Sequence, residues 1–213
     1  MKSSRTVARG LAVTALVVGV TRVSVPQADA AGAPANADSS TDALQPGRSL
    51  GRLGPLTDLI IQRLRVSDDV AASKFGTGSP IDDPAREQQV LEQVRNQAGD
   101  LGLDPVSATA FFQDQITASK VVQKGLFTRW AAHPEEAPTT RPDLGQIRTR
   151  LDQLTADLLR ELKATVRLRA EPTACTVQLA VAAGSGAALE RLDALHRQAL
   201  TGAVHSVCAA HVN

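Results

Sequence analysis

Four cations stand where a helical sequence should bury apolar side chains or place carboxylates. Leu56, Ile60, Arg63, Ser67, Val70 and Lys74 recur at spacings of three and four, so one helical line carries Arg63 and Lys74 among apolar neighbours. The two cations lie 11 residues apart, which is three turns or roughly 16 Å. Phe112, Ile116, Ser119, Gln123, Phe127 and Trp130 form a second line, with a hydroxyl and an amide one turn apart between large apolar side chains. Arg86 falls in the first turn of a helix begun by Asp83-Pro84, where the dipole favours carboxylates over cations. Arg148 flanks the Leu144, Ile147, Leu151 stripe of a further helix. Each has an ordinary explanation: a cation beside an apolar stripe snorkels to water, and Arg86 has Asp82 and Asp83 at hand. Buried polar groups need partners, so four cations from several helices invite one shared anionic ligand.

The elements that must position them are helices. From Pro55 onward the apolar period is 3.6 and no stretch alternates as a strand does. The absence of Tyr and the low aromatic content also disfavour a sheet. A first helix is predicted over about 56–75 and is broken by Gly76-Thr77-Gly78-Ser79-Pro80. A second, capped by Asp83 with Pro84 in its first turn, ends near Gly99; Asp104-Pro105 repeats that signal for a long helix to about Trp130. Residues 133–142, with three prolines, read as an extended connection. A fourth helix should run from Leu144 to about Arg169 and stop before Pro172. Two more are expected, Cys175 to about Val181 and Ala187 to about Ala210, split by Gly184-Ser185-Gly186. The expectation is an all-α fold, a single domain of about six helices over residues 51–213.

Residues 1–30 read as a signal peptide. Lys2, Arg5 and Arg9 precede a short apolar core from Leu11 to Val20, and Ala28-Asp29-Ala30 is a small-x-small cleavage site. The core is too short to cross a bilayer, which takes about 20 residues, so an uncleaved anchor is the weaker alternative. Residues 31–50, rich in Ala, Gly, Ser, Asp and Pro without periodicity, read as a disordered leader. Removing residues 1–30, which hold Lys2, Arg5, Arg9 and Arg22 against Asp29, takes the chain from 23 cations and 22 carboxylates to 19 and 21. A near-neutral balance argues against a nucleic-acid partner, and the cleaved chain has no expected membrane partner. Cys175 and Cys208, in an exported chain, most simply form one disulfide; two free thiols and a metal site are the alternatives, the last without a Cys-x-x-Cys or a paired-His spacing.

The same residues carry a family pattern. Arg63-Leu64 with Lys74, Pro80-Ile81-Asp82-Asp83 with Arg86-Glu87-Gln88-Gln89, and Phe112-x-Asp114-Gln115-Ile116-x-x-Ser119-x-x-x-Gln123 resemble the AroQ-type chorismate mutases. Phe127-x-x-Trp130, the proline-rich connection, Pro142-Asp143-Leu144 with Arg148, and the Cys175/Cys208 pair extend the match to Cys208. The later features and the signal peptide resemble the exported gamma subclass, and imply a secreted or periplasmic location.

What the resemblance implies is rearrangement of chorismate to prephenate within one molecule, with no cofactor, metal or nucleophile. The enzyme holds a dianion in a compact diaxial form and stabilises charge growing on the breaking ether oxygen, which is proximity plus oxyanion-type electrostatics. Arg63, Arg86 and Arg148 match the arginines that receive carboxylates and line the site. Lys74 matches the cation at the ether oxygen, and Gln123 the second donor to it. Ser119 matches a hydroxyl near a carboxylate, and Glu87 the acceptor of the ring hydroxyl in some relatives. Exported members often carry Thr where this chain has Ser119 and Glu where it has Gln123. Arg148 stands in for an arginine that simpler homodimeric mutases borrow from the partner chain, so the site should lie within one protomer even in a homodimer. The rival from another class is a secreted helical binding or effector protein that keeps the fold without catalysis. Intactness of the whole set from Arg63 to Arg148 argues against it. No Gly-x-Ser-x-Gly elbow, His-Glu-x-x-His pair or phosphate loop supports another enzyme class.

Overall fold

A computed structural model describes residues 48–208. The expected signal peptide, its cleavage near Ala30 and most of the leader lie outside these residues. Seven α-helices follow in order: α1 (Gly54–Lys74), α2 (Pro84–Asp100), α3 (Pro105–Ala132), α4 (Leu144–Ala164), α5 (Val166–Arg169), α6 (Pro172–Leu189) and α7 (Ala194–Ala203), and the described residues contain no strand. A short 3-10 turn at Pro134–Glu136 opens the connection that otherwise runs extended between α3 and α4.

The helix starts follow local chemistry. Asp83 accepts from the Arg86 N–H, Asp104 from those of Val106 and Ser107, Asp143 from Gln146 and Asp193 from His196, so four helices satisfy first-turn amides with a carboxylate cap. Proline occupies the first turn of α1, α2, α3 and α6, where its missing N–H removes no bond.

α1 is the central element and packs on α3, α4, α6 and α7, while α2 lies across α3. Leu56, Ile60, Ile61 and Leu64 of α1, Phe111 and Phe112 of α3, and Leu158, Leu159 and Leu162 of α4 are fully or almost fully buried in one core. Phe75 meets Phe127 and Trp130 edge-on, each at 5.3 Å between centroids, where α1 and α3 end together. Cys175 and Cys208 are bonded, tying α6 to the end of the described chain. That end is also held by Gln115 Nε2 donating to the Ala203 carbonyl at 2.6 Å and Arg169 Nε to Val207 at 2.8 Å.

Three expectations are corrected. Gly184-Ser185-Gly186 does not split two helices, since α6 runs unbroken through it. Gly186 is there for close approach: a Cβ on it would sit 2.4 Å from Ser49 Oγ and 2.8 Å from Ile61 Cδ1. The break comes later, at Glu190–Asp193, where Arg191 takes φ +49°. The fourth helix is interrupted at Thr165 and resumes as the one-turn α5, and Pro172 begins α6 rather than ending anything. Ser49, assigned to the leader, is buried, and its N–H and hydroxyl both donate to Asp58 of α1. Its neighbour Leu50 donates from its N–H to the Ser185 hydroxyl of α6.

Candidate active site

A cavity of about 210 Å³ opens between α1, α2, α3 and α4, and all seven residues selected from the sequence line it: Arg63, Lys74, Arg86, Glu87, Ser119, Gln123 and Arg148. Apolar side chains such as Val70, Ile81, Ile116 and Ile147 fill the spaces between the polar groups. Five cations and three carboxylates line the cavity, because Lys120, Asp83 and Asp152 join the set. The net lining charge is therefore positive by two, although the chain as a whole is close to neutral.

Arg63 is the most deeply placed cation, 7 % exposed. Its Nη1 donates to Thr155 Oγ1 at 3.5 Å, and its guanidinium carbon lies 5.8 Å from the centre of the Phe112 ring. Its Nε is buried and has no partner among the described residues. Burial pushes its pKa down to about 10, against the attraction of Asp152, so the group stays charged at neutral pH. Lys74 ends α1, half-buried, and donates from Nζ to the Pro80 carbonyl at 2.9 Å. Burial lowers its pKa, Asp83 and Asp82 oppose that, and Arg148 reinforces it.

A partly buried hydrogen-bonded link crosses from α1 to α3. Ser67 Oγ donates to Ser119 Oγ at 2.8 Å, and Gln123 Nε2 donates to the same oxygen at 3.1 Å. Gln123 is 5 % exposed, and its Oε1 is buried without a partner among the described residues. One hydrogen of the amide nitrogen is thus used by Ser119 and the second remains.

Arg86 and Arg148 are exposed in comparison. Pairing of Arg86 with Asp82 or Asp83 does not occur. Asp83 accepts from the Arg86 backbone N–H, and Asp82 pairs with Lys120 at 3.4 Å and Lys124 at 2.9 Å. Among the described residues the Arg86 side chain reaches only Gln89 Oε1, at 3.3 Å. Glu87 is held by Lys120, whose Nζ lies 3.1 and 3.0 Å from its two oxygens.

Lys120, Asp152 and Thr155 were not singled out in the sequence. A signal for each existed: Lys120 is four residues after Ile116, and Asp152 and Thr155 are four after Arg148 and Leu151, so all three share the faces already traced. Ser67 was placed on the correct line but given no partner, since its partner is on another helix.

Residues 55–124 match the chorismate mutase type II family. The chain is 37 % identical over 156 residues to a secreted chorismate mutase of Mycolicibacterium smegmatis, spanning 73 % of this chain and 86 % of that protein. It is 34 % identical over 159 residues to one of Mycobacterium tuberculosis, spanning 75 % and 79 %. The crystal structure of chorismate mutase from Burkholderia phymatum superposes with a TM-score of 0.70 at 38 % identity, over 74 % of this chain and 96 % of that one. Relatedness of that extent makes this chain a member of the chorismate mutase family.

Proposed function

We propose that the cavity between α1 and α4 converts chorismate to prephenate in an exported enzyme, and that the seven residues above act as follows. Arg63, Arg86 and Arg148 receive the two carboxylates of the substrate, and Ser119 donates to one of them. Lys74 and the free N–H of Gln123 face the ether oxygen, and Glu87 accepts the ring hydroxyl. One C–O bond breaks as one C–C bond forms within the same molecule, and no proton changes hands. The protein needs only to hold the compact conformer and to meet the charge that grows on oxygen.

One observation carries this assignment: a half-apolar cavity with a surplus of two positive charges, in a chain without such a surplus, complements a dianion. Export is supported by the N-terminal charge and apolar pattern and by relatives named as secreted. Among the described residues no helix is long and apolar enough to cross a membrane. With Arg148 in the place of the arginine that homodimeric relatives borrow, this reading keeps the site within one protomer, whether or not the protein pairs as a homodimer. The test is loss of chorismate absorbance on adding the purified mature protein. A rate no greater than the uncatalysed one would leave the helical binding protein as the better description.

A further inference from the structure

Glu87 poses a problem for a site that takes a dianion, because it places a carboxylate in the wall of the cavity. The structure answers with Lys120. Its Nζ lies 3.1 and 3.0 Å from Glu87 Oε1 and Oε2, and the two side chains are only 23 % and 21 % exposed. A pair this sheltered is screened less than a surface ion pair. Lys120 is also 3.4 Å from Asp82, but Asp82 has a closer partner in Lys124 at 2.9 Å. The loop before α2 therefore keeps an anchor to α3 without Lys120, and Glu87 does not: no other cation bonds it among the described residues.

We propose that Lys120 is a positioning residue for the mutase reaction, neutralising Glu87 and holding both its oxygens so that the carboxylate can face the substrate hydroxyl without repelling the substrate carboxylates. This rests on the assignment of chorismate as substrate. Lys120 acts through Glu87 and is not itself a contact of the reacting atoms. Its removal would lower the surplus charge of the cavity from two to one and leave a bare carboxylate beside an anionic ligand.

A double-mutant cycle tests this, with kcat and KM measured separately for four folded proteins: wild type, Lys120→Met, Glu87→Gln and the double variant. Lys120→Met keeps length and removes charge, and it should raise KM about tenfold with kcat changed less than about threefold. In the Glu87→Gln background the same change should move KM less than about twofold, because no carboxylate remains to be neutralised. A structural role for Lys120, or direct contact with substrate, would give the same loss in both backgrounds and overturn the proposal. Absence of turnover by the wild type would instead overturn the substrate assignment, and this inference with it.

Discussion

Ser67 of α1 donates its hydroxyl to Ser119 of α3 across 2.8 Å, and this fixes which way Ser119 can point. With Gln123 Nε2 donating to the same oxygen at 3.1 Å, both lone pairs of Ser119 are filled. When Ser67 donates to Ser119, its closer partner, and not to the Arg63 carbonyl at 3.3 Å, the Ser119 hydrogen is left for the cavity. Ser67→Ala should leave thermal stability nearly unchanged, since alanine favours the helix. It should lower kcat/KM about fivefold, the worth of one net hydrogen bond of about 1 kcal/mol. Steady-state kinetics beside a melting curve checks this; unaltered kcat/KM would mean Ser119 is oriented without Ser67.

Lys74→Ala should cost far more in turnover than in stability. A preorganised donor to a developing oxyanion contributes about 2.7–4 kcal/mol, or 10²–10³ in kcat, whereas a solvated end-of-helix lysine would cost a few tenths. Burial lowers the Lys74 pKa, and the charged form exists only below that pKa. In a profile of kcat/KM from about pH 7 to 10, the alkaline fall should therefore begin below the ordinary lysine range near 10.4.

Gln123→Glu should convert a pH-insensitive donor into a sensitive one. An amide donates at any ordinary pH, and a carboxyl only while protonated. Its unperturbed pKa is about 4.3; desolvation in the cavity raises it and Lys74 lowers it. Between about pH 4 and 8 the variant should lose kcat/KM as pH rises while the wild type changes little. Parallel profiles in the two proteins would remove Gln123 from the ether oxygen.

His196 carries a prediction about stability instead of catalysis. It is buried at the start of α7 between Asp68 of α1, at 2.9 Å from Nε2, and Asp193, at 2.8 Å from Nδ1. The Asp68 bond above all raises its pKa, against burial. The folded state thus binds the proton more tightly than the unfolded one, whose value is about 6.5. The added stability is complete below that pH and is lost as pH rises through the raised folded value. For Asp193, burial works upward, but the hydrogen bonds to His196 outweigh it and lower the pKa, so that contribution disappears in acid. Melting temperature should peak between about pH 5 and 6.5, and the margin of wild type over His196→Gln should shrink as pH climbs to 9. A constant margin would count against a charged His196.

The Cys175–Cys208 bond closes a loop of 33 residues, which disfavours the unfolded chain by about 3–4 kcal/mol through loop entropy. Reduction should lower the melting temperature by about 6–16 °C for a domain of this size. Mass spectrometry of secreted protein should show a chain beginning near Ala31 and two protons lighter than its all-thiol mass. Two alkylatable thiols, or an intact N-terminus, would refute these assignments.

The sequence alone determined the helices wherever the determinant was local. Asp83-Pro84 and Asp104-Pro105 start α2 and α3 because cap and proline act within one turn. Arg63, Lys74, Ser119 and Gln123 stood out as candidates because polar groups on an apolar stripe must find partners and periodicity shows the stripe, while their expected roles came from the family resemblance. Tertiary structure decided what depends on a second element. Gly184-Ser185-Gly186 has the composition of a turn, yet Gly186 is there so that α6 can press on Ser49 and Ile61, a contact no local rule contains. Arg191, not a glycine, takes the left-handed conformation that ends the region. The pairings of Ser67 with Ser119, of Lys120 with Glu87 and of His196 with Asp68 each join residues 33 to 128 positions apart. Spacing can say that such groups share a helix face. Only the packing of one helix on another brings a hydroxyl, a carboxylate or an imidazole within 3 Å of its partner.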